Sequence, residues 1–371
     1  MQSRILFILH LPPPIHGAAM MGQYIHDSKV VNERFDCKYI NLSTATGLED
    51  IGKFSFHKFL RFQRLYNHIK KEVKSFQPDL IYITPNTHGL AFYKEFFIVR
   101  KLKRMGKRVV MHFHNKGVRG HQGNAMSRWI YKQFFKDTEI ILLSEHLYAD
   151  ISQYAGKEQV SVCPNGIPPA NKCVILSAEE TSSPATILFL SNLLRAKGLV
   201  DLLDACKILT KRNVGYTCHI VGGETKEFNM DSIMREIENR QLTDNVQYLG
   251  RKTGKEKEAE YEKARLFVFP SHDECFPLVL LEAMQHRLPC VTTTVGGTVD
   301  IVENGKTGYW IDSQSPEALA EKIEHLIQHP EKGREMGMQG YEKYQKEYTL
   351  EKFEQRFVTI LEDIINKQET C

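Results

Sequence analysis

The chain has 371 residues, 42% hydrophobic and 25% charged, with a formal net charge of +4. That length exceeds one ordinary core and suits two domains, and the composition excludes a disordered or fibrous chain. No apolar run approaches the roughly 20 residues needed to cross a bilayer.

The N-terminal run MQSRILFILHLPPP is not followed by a small-residue cleavage site and reads as a first strand. The eight cysteines show no C-x-x-C or metal-ligand spacing, as expected of reduced thiols. A cytoplasmic protein is expected. Net charge hides an asymmetry. Residues 1–170 hold 24 Lys+Arg against 13 Asp+Glu, a balance of +11, while residues 171–371 hold 25 against 32, a balance of −7. The basic excess gathers in residues 53–74 and 100–108. The first of these interleaves Phe, Leu and Tyr with Lys and Arg, a pattern that suits an anionic membrane surface or a solvated helix whose aromatics are core. No nucleic-acid partner is expected.

In chain order, strand and helix patterns alternate without internal repeat, which predicts parallel sheets covered by helices on both faces. Arg4–His10 is an apolar strand, and the Pro-rich loop after it, carrying His16, opens a helix near Gly17. Further strands are expected at Cys37–Leu42, Asp79–Ile83, Arg108–His114, Glu139–Leu143 and Val160–Cys163. His114 ends its strand, where doubly wound sheets bind ligands, and His112 shares its face one step deeper. Asn165-Gly166 has turn chemistry and reads as a hinge marker. The domains are then 1–168, a Pro/Ser/Thr-rich linker at 169–184, 185–348, and a last helix in 349–371.

The second half repeats the alternation. Thr186–Ser191 is a strand, and the turn SNLLRAKG after it opens a helix at Gly198, bringing Asn192, Arg195 and Lys197 to a helix start. Cations there can neutralise a diphosphate. Tyr216–Val221 ends in Gly222-Gly223, small residues that let a phosphate or a backbone come close. Val246–Gly250 leads to Arg251-Lys252, and Leu266–Phe269 feeds the most informative stretch, HDECFPLVLLEAMQHRLPCVTTTVGG. Helices are expected near 315–328, 331–346 and 350–367.

In that stretch Leu278, Val279, Leu280, Leu281, Ala283 and Met284 leave almost no polar face, so the helix is expected to be buried on most sides, with Pro277 in its first turn. Glu282 is the misfit, since a carboxylate there needs a partner. Glu274 stands eight positions earlier, and Cys275, Phe276, Pro277 and Leu278 between them lead into a helix N-terminus suited to phosphate. One carboxylate at the mouth, one along the helix and an anion-binding end between them suit a nucleotide sugar. On this reading Glu282 lacks a protein partner and waits for the ribose.

The Glu-x7-Glu motif E-C-F-P-L-V-L-L-E, with Pro270-Ser271 before it and Gly296-Gly297 after it, resembles the donor site of retaining glycosyltransferases of family 4. The resemblance implies the GT-B fold, with two Rossmann-like doubly wound domains facing a cleft and a C-terminal helix crossing back to the first. It implies a donor of the UDP- or GDP-sugar type, no cofactor, and a glycan or lipid-linked acceptor in surface polysaccharide or lipid-linked glycan assembly. It gives Glu274, His114 and Lys197 to catalysis. Glu282, Arg195, Asn192, Cys275, Phe276, Pro277, Leu278, Gly222 and Arg251 go to the donor, and His16 with Gly17 to the acceptor. The family usually has Arg where Asn192 stands, a departure that keeps a weakened homologue open beside a GT-B nucleotide-sugar epimerase. No Asp-x-Asp occurs, so no metal is expected. No G-x-G-x-x-G follows an early strand, which disfavours a nicotinamide enzyme.

Overall fold

The computed structural model describes residues 2–43, 56–170 and 184–367, without the side chains of 56–59. Most of the expected linker and the start of the basic 53–74 segment lie outside the described residues. Close contacts divide the chain into two units, Met1–Asn165 with Leu350–Cys371, and Gly166–Thr349.

Unit 1 carries six parallel strands, β1 (Arg4–Leu9), β2 (Asp36–Asn41), β3 (Leu80–Ile83), β4 (Val109–His112), β5 (Glu139–Leu142) and β6 (Val160–Val162). They lie in the order β2-β1-β3-β4-β5-β6. The helices between them are α1 (Gly17–Asp27), α2 (Lys29–Arg34), α3 (Phe56–Phe76), α4 (Gly89–Arg104), α5 (Ala125–Phe135) and the short α6 (Tyr148–Ile151). Ile5 to Leu9 and Leu80 to Ile83 are buried on both faces, as near-continuous apolar runs in a parallel sheet must be. The chain runs outward from β1 to β2, then returns to β3 and proceeds the other way. The crevice between β1 and β3 is therefore the topological switch point, where such sheets bind ligands.

Unit 2 repeats the plan. Its strands β7 (Ala185–Leu190), β8 (Tyr216–Val221), β9 (Val246–Tyr248), β10 (Leu266–Phe269), β11 (Cys290–Thr293) and β12 (Gly308–Ile311) run in the order β12-β11-β10-β7-β8-β9. Here the switch point lies between β7 and β10, paired through Leu266 with Ile187 and Phe267 with Leu188. The helices are α7 (Leu199–Lys211), α8 (Met230–Asn239), α9 (Gly254–Lys263), α10 (Leu278–Gln285), α11 (Thr298–Ile301), α12 (Pro316–Gln328) and α13 (Pro330–Glu347).

The final helix, α14 (Leu350–Asn366), belongs to unit 1. Phe353, Phe357, Leu361 and Ile364 recur every three to four residues and are all buried. Phe357 meets Tyr82 edge-on at 5.2 Å between ring centres, and Arg34 of α2 pairs with Glu362. Burying each of these apolar side chains stabilises by about 1.5–3 kcal/mol, enough to fix the helix on the first sheet.

The strand expectations hold to within two residues at each end. The difference that matters is at β4, which stops at His112, so His114 stands in the loop beyond the strand.

Candidate active site

In unit 2 the loops after β7 and β10 meet at the switch point because the backbones touch there. Gly198 has φ of +76°, and an added Cβ would lie 2.1 Å from the carbonyl oxygen of Pro270. His272 N–H donates to Ala196 O at 2.8 Å, and Ser271 Oγ to the same carbonyl at 3.1 Å. On the other side Gly296, at φ of +56°, leaves no room for a Cβ, which would lie 2.1 Å from Glu274 O. The segment from Pro270 to Glu274 is thus held between two loops that glycine alone lets approach.

This packing brings Lys197 and Glu274 together. The Lys197 ammonium donates to Glu274 Oε1, and Ser271 Oγ donates to the same oxygen at 3.3 Å. Both side chains are mostly covered, at 24% and 12% exposure, so the pair is screened less than a surface ion pair would be. The two residues stand 77 apart in sequence, and beside them His272, after β10, meets Asp201 at the start of α7.

The helix that follows is α10. Leu280, Leu281, Ala283 and Met284 are fully buried, as the sequence pattern requires. Pro277 caps the helix instead of lying in its first turn, with φ −74° and ψ 119°, and having no N–H it cannot donate to an anion. Leu278 is the first helical residue. Cys275 and Phe276 are buried, Phe276 against Tyr348 at 5.8 Å between rings.

The reading that Glu282 lacks a protein partner is corrected. Lys257 Nζ donates to its Oε1 at 2.7 Å, and Tyr261 OH donates to its Oε2 at 2.9 Å. Both donors come from α9, and the carboxylate keeps 19% exposure. Each oxygen still has a second acceptor site, so the group remains able to receive hydroxyls.

The other donor-side residues are only partly gathered. Asn192 Oδ1 lies 3.2 Å, and Arg251 Cδ 3.8 Å, from where a Cβ on Gly223 would stand, so these three are neighbours. Gly222 is explained by packing, because its Cβ would fall 1.7 Å from Ser191 O. Arg195 is exposed, with its guanidinium 5.1 Å over the Phe228 ring and its amide donating to Glu227 at 2.8 Å. It is held by those two residues and not by the Lys197–Glu274 pair. Beside the site, Glu260 is buried and accepts from Lys252 at 2.6 Å, Lys263 at 3.0 Å and His219 at 2.8 Å. Burial opposes its charge, yet these three donors hold its carboxyl down at about 2.

Unit 1 gathers histidines at its own switch point. His10 follows β1, His114 follows β4, and His16 caps α1 by accepting from Ala19 N–H at 3.3 Å, with Gly17 the first helical residue. His112 Nδ1 meets Tyr82 OH at 2.7 Å, and its ring lies 4.4 Å from that of His114. Both ring nitrogens of His114 are buried without a hydrogen-bond partner. Burial pushes the His114 imidazole down to about 3, with His10 and His16 adding repulsion, and pushes His10 down to about 4. These rings are neutral at pH 7.

Asn86, after β3, ties this group together. Its side-chain amide donates to Glu95 Oε1 at 3.0 Å and to His10 Nε2 at 3.4 Å, while its backbone N–H donates to Glu95 Oε2 at 2.6 Å. Asn115 Nδ2 donates to Asn86 Oδ1 at 3.1 Å. Glu95 is 3% exposed, and burial lifts its carboxyl to about 7 despite these bonds. Sequence reasoning passed over His10 and Glu95. A histidine at the end of β1 and a carboxylate inside E-F-F-I-V carry the same signals that singled out His114 and Glu282.

Among the described residues no group of three or more His, Cys, Asp or Glu is arranged to hold a metal ion, and no helix is long and apolar enough to cross a membrane.

Residues 33–171 match the family description "Glycosyltransferase Family 4", and residues 177–343 match "Glycosyl transferases group 1". The chain belongs to glycosyltransferase family 4. It is 27% identical over 179 residues to the capsular polysaccharide biosynthesis glycosyltransferase CapM of Staphylococcus aureus, covering 47% of this chain and 46% of that protein. The chain spans about half the length of the curated relatives it matches. In structure it resembles a sucrose-phosphate synthase from Thermosynechococcus elongatus, with a TM-score of 0.75 at 18% identity, covering 99% of this chain and 100% of that one. It also resembles Anabaena HepE, solved in complex with UDP-glucose, with a TM-score of 0.74 at 18% identity, covering 97% and 99%. The family member thus has the GT-B fold, two doubly wound units in one chain.

Proposed function

We propose that this family 4 protein is a retaining glycosyltransferase that moves a sugar from a nucleoside diphosphate sugar to an acceptor hydroxyl in polysaccharide or lipid-linked glycan assembly. The observation that carries the reading is the Lys197–Glu274 pair at the switch point of unit 2, one turn before α10. In the reaction the bond between the sugar's anomeric carbon and the diphosphate breaks. An acceptor oxygen bonds to that carbon on the same face, and the acceptor's proton leaves with the diphosphate. Negative charge grows on the departing group, and a fixed cation beside it stabilises the transition state more than the ground state.

Lys197 supplies that cation by exchanging Glu274 for the diphosphate. Glu274, released, accepts from a donor hydroxyl near the reacting carbon, and Glu282 accepts from the ribose while Lys257 and Tyr261 hold it. His114, neutral and with both nitrogens unpartnered, is the unit 1 residue suited to a sugar hydroxyl. UDP- and GDP-type donors both fit this chemistry. Two relatives carry names from capsular polysaccharide and colanic acid biosynthesis, which supports a surface glycan as product and a lipid-linked acceptor on the inner face of the membrane.

A thermal-shift screen of UDP, GDP and their sugars tests the donor site. A ligand at 100 times its dissociation constant stabilises by about 2.7 kcal/mol. No shift with any nucleoside diphosphate would overturn the reading. Nucleotide release that requires acceptor separates transfer from epimerisation, in which no acceptor takes part.

A further inference from the structure

Eleven large apolar side chains are exposed among the described residues, and five of them lie on two adjacent helices of unit 1. On α4 they are Leu90 (53% exposed), Tyr93 (43%) and Phe97 (53%); on α5 they are Met126 (66%) and Trp129 (46%). Leu90, Tyr93 and Phe97 fall three and four residues apart, so they form one stripe, and Met126 and Trp129 share a face in the same way. The helices present these side chains on a firm base. Beneath them Phe92 packs on Tyr131 at 4.7 Å and on Phe134 at 5.0 Å between rings. Lys103 of α4 reaches the last turn of α5, donating to Gln133 O at 3.0 Å and Phe134 O at 2.8 Å. The two stripes are joined at the surface, where the Arg100 guanidinium lies 5.8 Å over the Trp129 ring and 6.0 Å over that of Phe96.

The charge of this region has one sign. Residues 89–136 contain twelve Lys and Arg and a single acidic residue, Glu95, which is buried. Among the twelve, Lys103 is engaged as above, Lys107 with Gln77 and Pro78, Arg108 with Glu139, Arg128 with the Gln122 carbonyl and Lys136 with Asp137. Beyond Phe97 the same α4 stripe continues as Arg100, Lys101 and Arg104, while Arg128 and Lys132 flank Trp129 on α5. Apolar and aromatic tips ringed by cations, with no exposed carboxylate in the segment, match the interface of an anionic bilayer. Tyr and Trp rings settle at headgroup depth, and Lys and Arg pair with phosphates.

We propose that the α4–α5 face of unit 1 docks on an anionic lipid surface, with Phe97 and Trp129 inserted at the headgroup boundary and Lys101, Arg104 and Lys132 on lipid phosphates. This deepens the membrane reading given above and moves it from the 53–74 segment to a different pair of helices. Nucleotide-sugar binding in unit 2 does not depend on it.

The chain has two tryptophans, Trp129 and Trp310. In the full-length Trp310→Phe protein the emission of Trp129 reports the docking face alone. Adding vesicles of phosphatidylglycerol and phosphatidylcholine should shift that emission to the blue and protect it from iodide, whereas pure phosphatidylcholine vesicles should leave it unchanged. In flotation, Phe97→Ser with Trp129→Ser, or Lys101→Glu with Arg104→Glu, should each weaken binding to the anionic vesicles by about tenfold or more. Phe97, Trp129 and Arg104 are exposed and Lys101 is half-buried, and the UDP and GDP thermal shifts of each variant should equal those of the parent. No flotation with anionic vesicles overturns the proposal, as does flotation without a change at Trp129, which would place the contact on another face. Binding that survives both variant pairs overturns it too. Capture of an acidic protein in the absence of any vesicle binding would assign the face to a protein partner instead.

Discussion

Unit 1 and unit 2 are built on one strand plan and differ in what lies at their switch points. In unit 2 the groups there are ionic and compensated, Lys197 with Glu274 and Lys257 with Glu282. In unit 1 they are imidazoles, held neutral by burial, with His114 lacking any hydrogen-bond partner. The difference follows from what each site can hold at pH 7. A diphosphate brings two or more negative charges, and only a site with ready cations can accept it. A sugar or an acceptor brings hydroxyls, which neutral nitrogens can serve as donor or acceptor without the desolvation cost of a charge. The plan is common, and the chemistry is set by the side chains at four strand ends.

The largest effect expected from breaking this contrast is on Lys197. Lys197→Ala should lower kcat by about 10²–10³-fold, the loss seen when one preorganised transition-state partner is removed. The protein should stay folded, since the residue ends a short 3-10 turn between β7 and α7 and Glu274 retains Ser271. Steady-state kinetics with a melting curve on the same sample check it, and unchanged turnover would refute the site.

Acid should separate the units next. His10, His16, His112 and His114 all have pKa values lowered in the fold, with burial the leading cause. A group with a lowered folded pKa takes up protons more readily when unfolded. The stability it contributes is therefore full above about 6.5, its ordinary value, and falls as pH drops toward the folded values near 4 and 3. At pH 5 His10 and His114 have each lost roughly 2 kcal/mol at most. Glu95, raised to about 7, works in the opposite sense and gains as pH falls below 7, offsetting about one histidine. In unit 2 the carboxyls of Glu260 and Glu303 are held near 2, so their contribution persists down to about 4.5. Trp129 should thus report a melting temperature that drops between pH 7 and 5, while Trp310 reports little change. The two units each hold one tryptophan, so single Trp→Phe variants read them separately. Parallel losses would show that the histidines are not the cause.

Glu260→Gln probes the compensation itself. It leaves Lys252, Lys263 and His219 around a neutral amide in a site where the side chain is 1% exposed. A loss of about 2 kcal/mol is expected, less than for a fully buried pair because Lys263 is 59% exposed and can turn to water. Urea unfolding followed by Trp310 measures it.

The sequence carried the layout of both sheets, since fully buried parallel strands and amphipathic helices leave periodic marks that need no knowledge of partners. It carried Lys197, Glu274 and Glu282 through their spacing around a helix start. It did not carry what pairs with them. Lys257 and Tyr261 sit 25 and 21 residues before Glu282, on an exposed and charged helix with no pattern pointing at the site. Glu95 was legible by the rule applied to Glu282, an acid among apolar neighbours. Its partner Asn86 was not, because that contact depends on how the loop after β3 folds over α4.

The smallest expected effect addresses Glu282. Tyr261 OH donates to its Oε2 and lies 3.3 Å from Val279 O, with the ring buried and stacked on His286 at 5.0 Å. Tyr261→Phe keeps the ring and removes one hydrogen bond, so stability should fall by about 1 kcal/mol, or some 2–4 °C in Tm. If Glu282 receives the ribose, the lost bond also frees its carboxylate to turn, and affinity for the nucleoside diphosphate should fall a few-fold. Binding of inorganic pyrophosphate, which has no ribose, should not change. Calorimetric titration of both ligands into Tyr261→Phe decides it. An equal loss for the two would mean that the bond supports the diphosphate end of the site and that Glu282 is a structural partner of α9 with no hold on the donor.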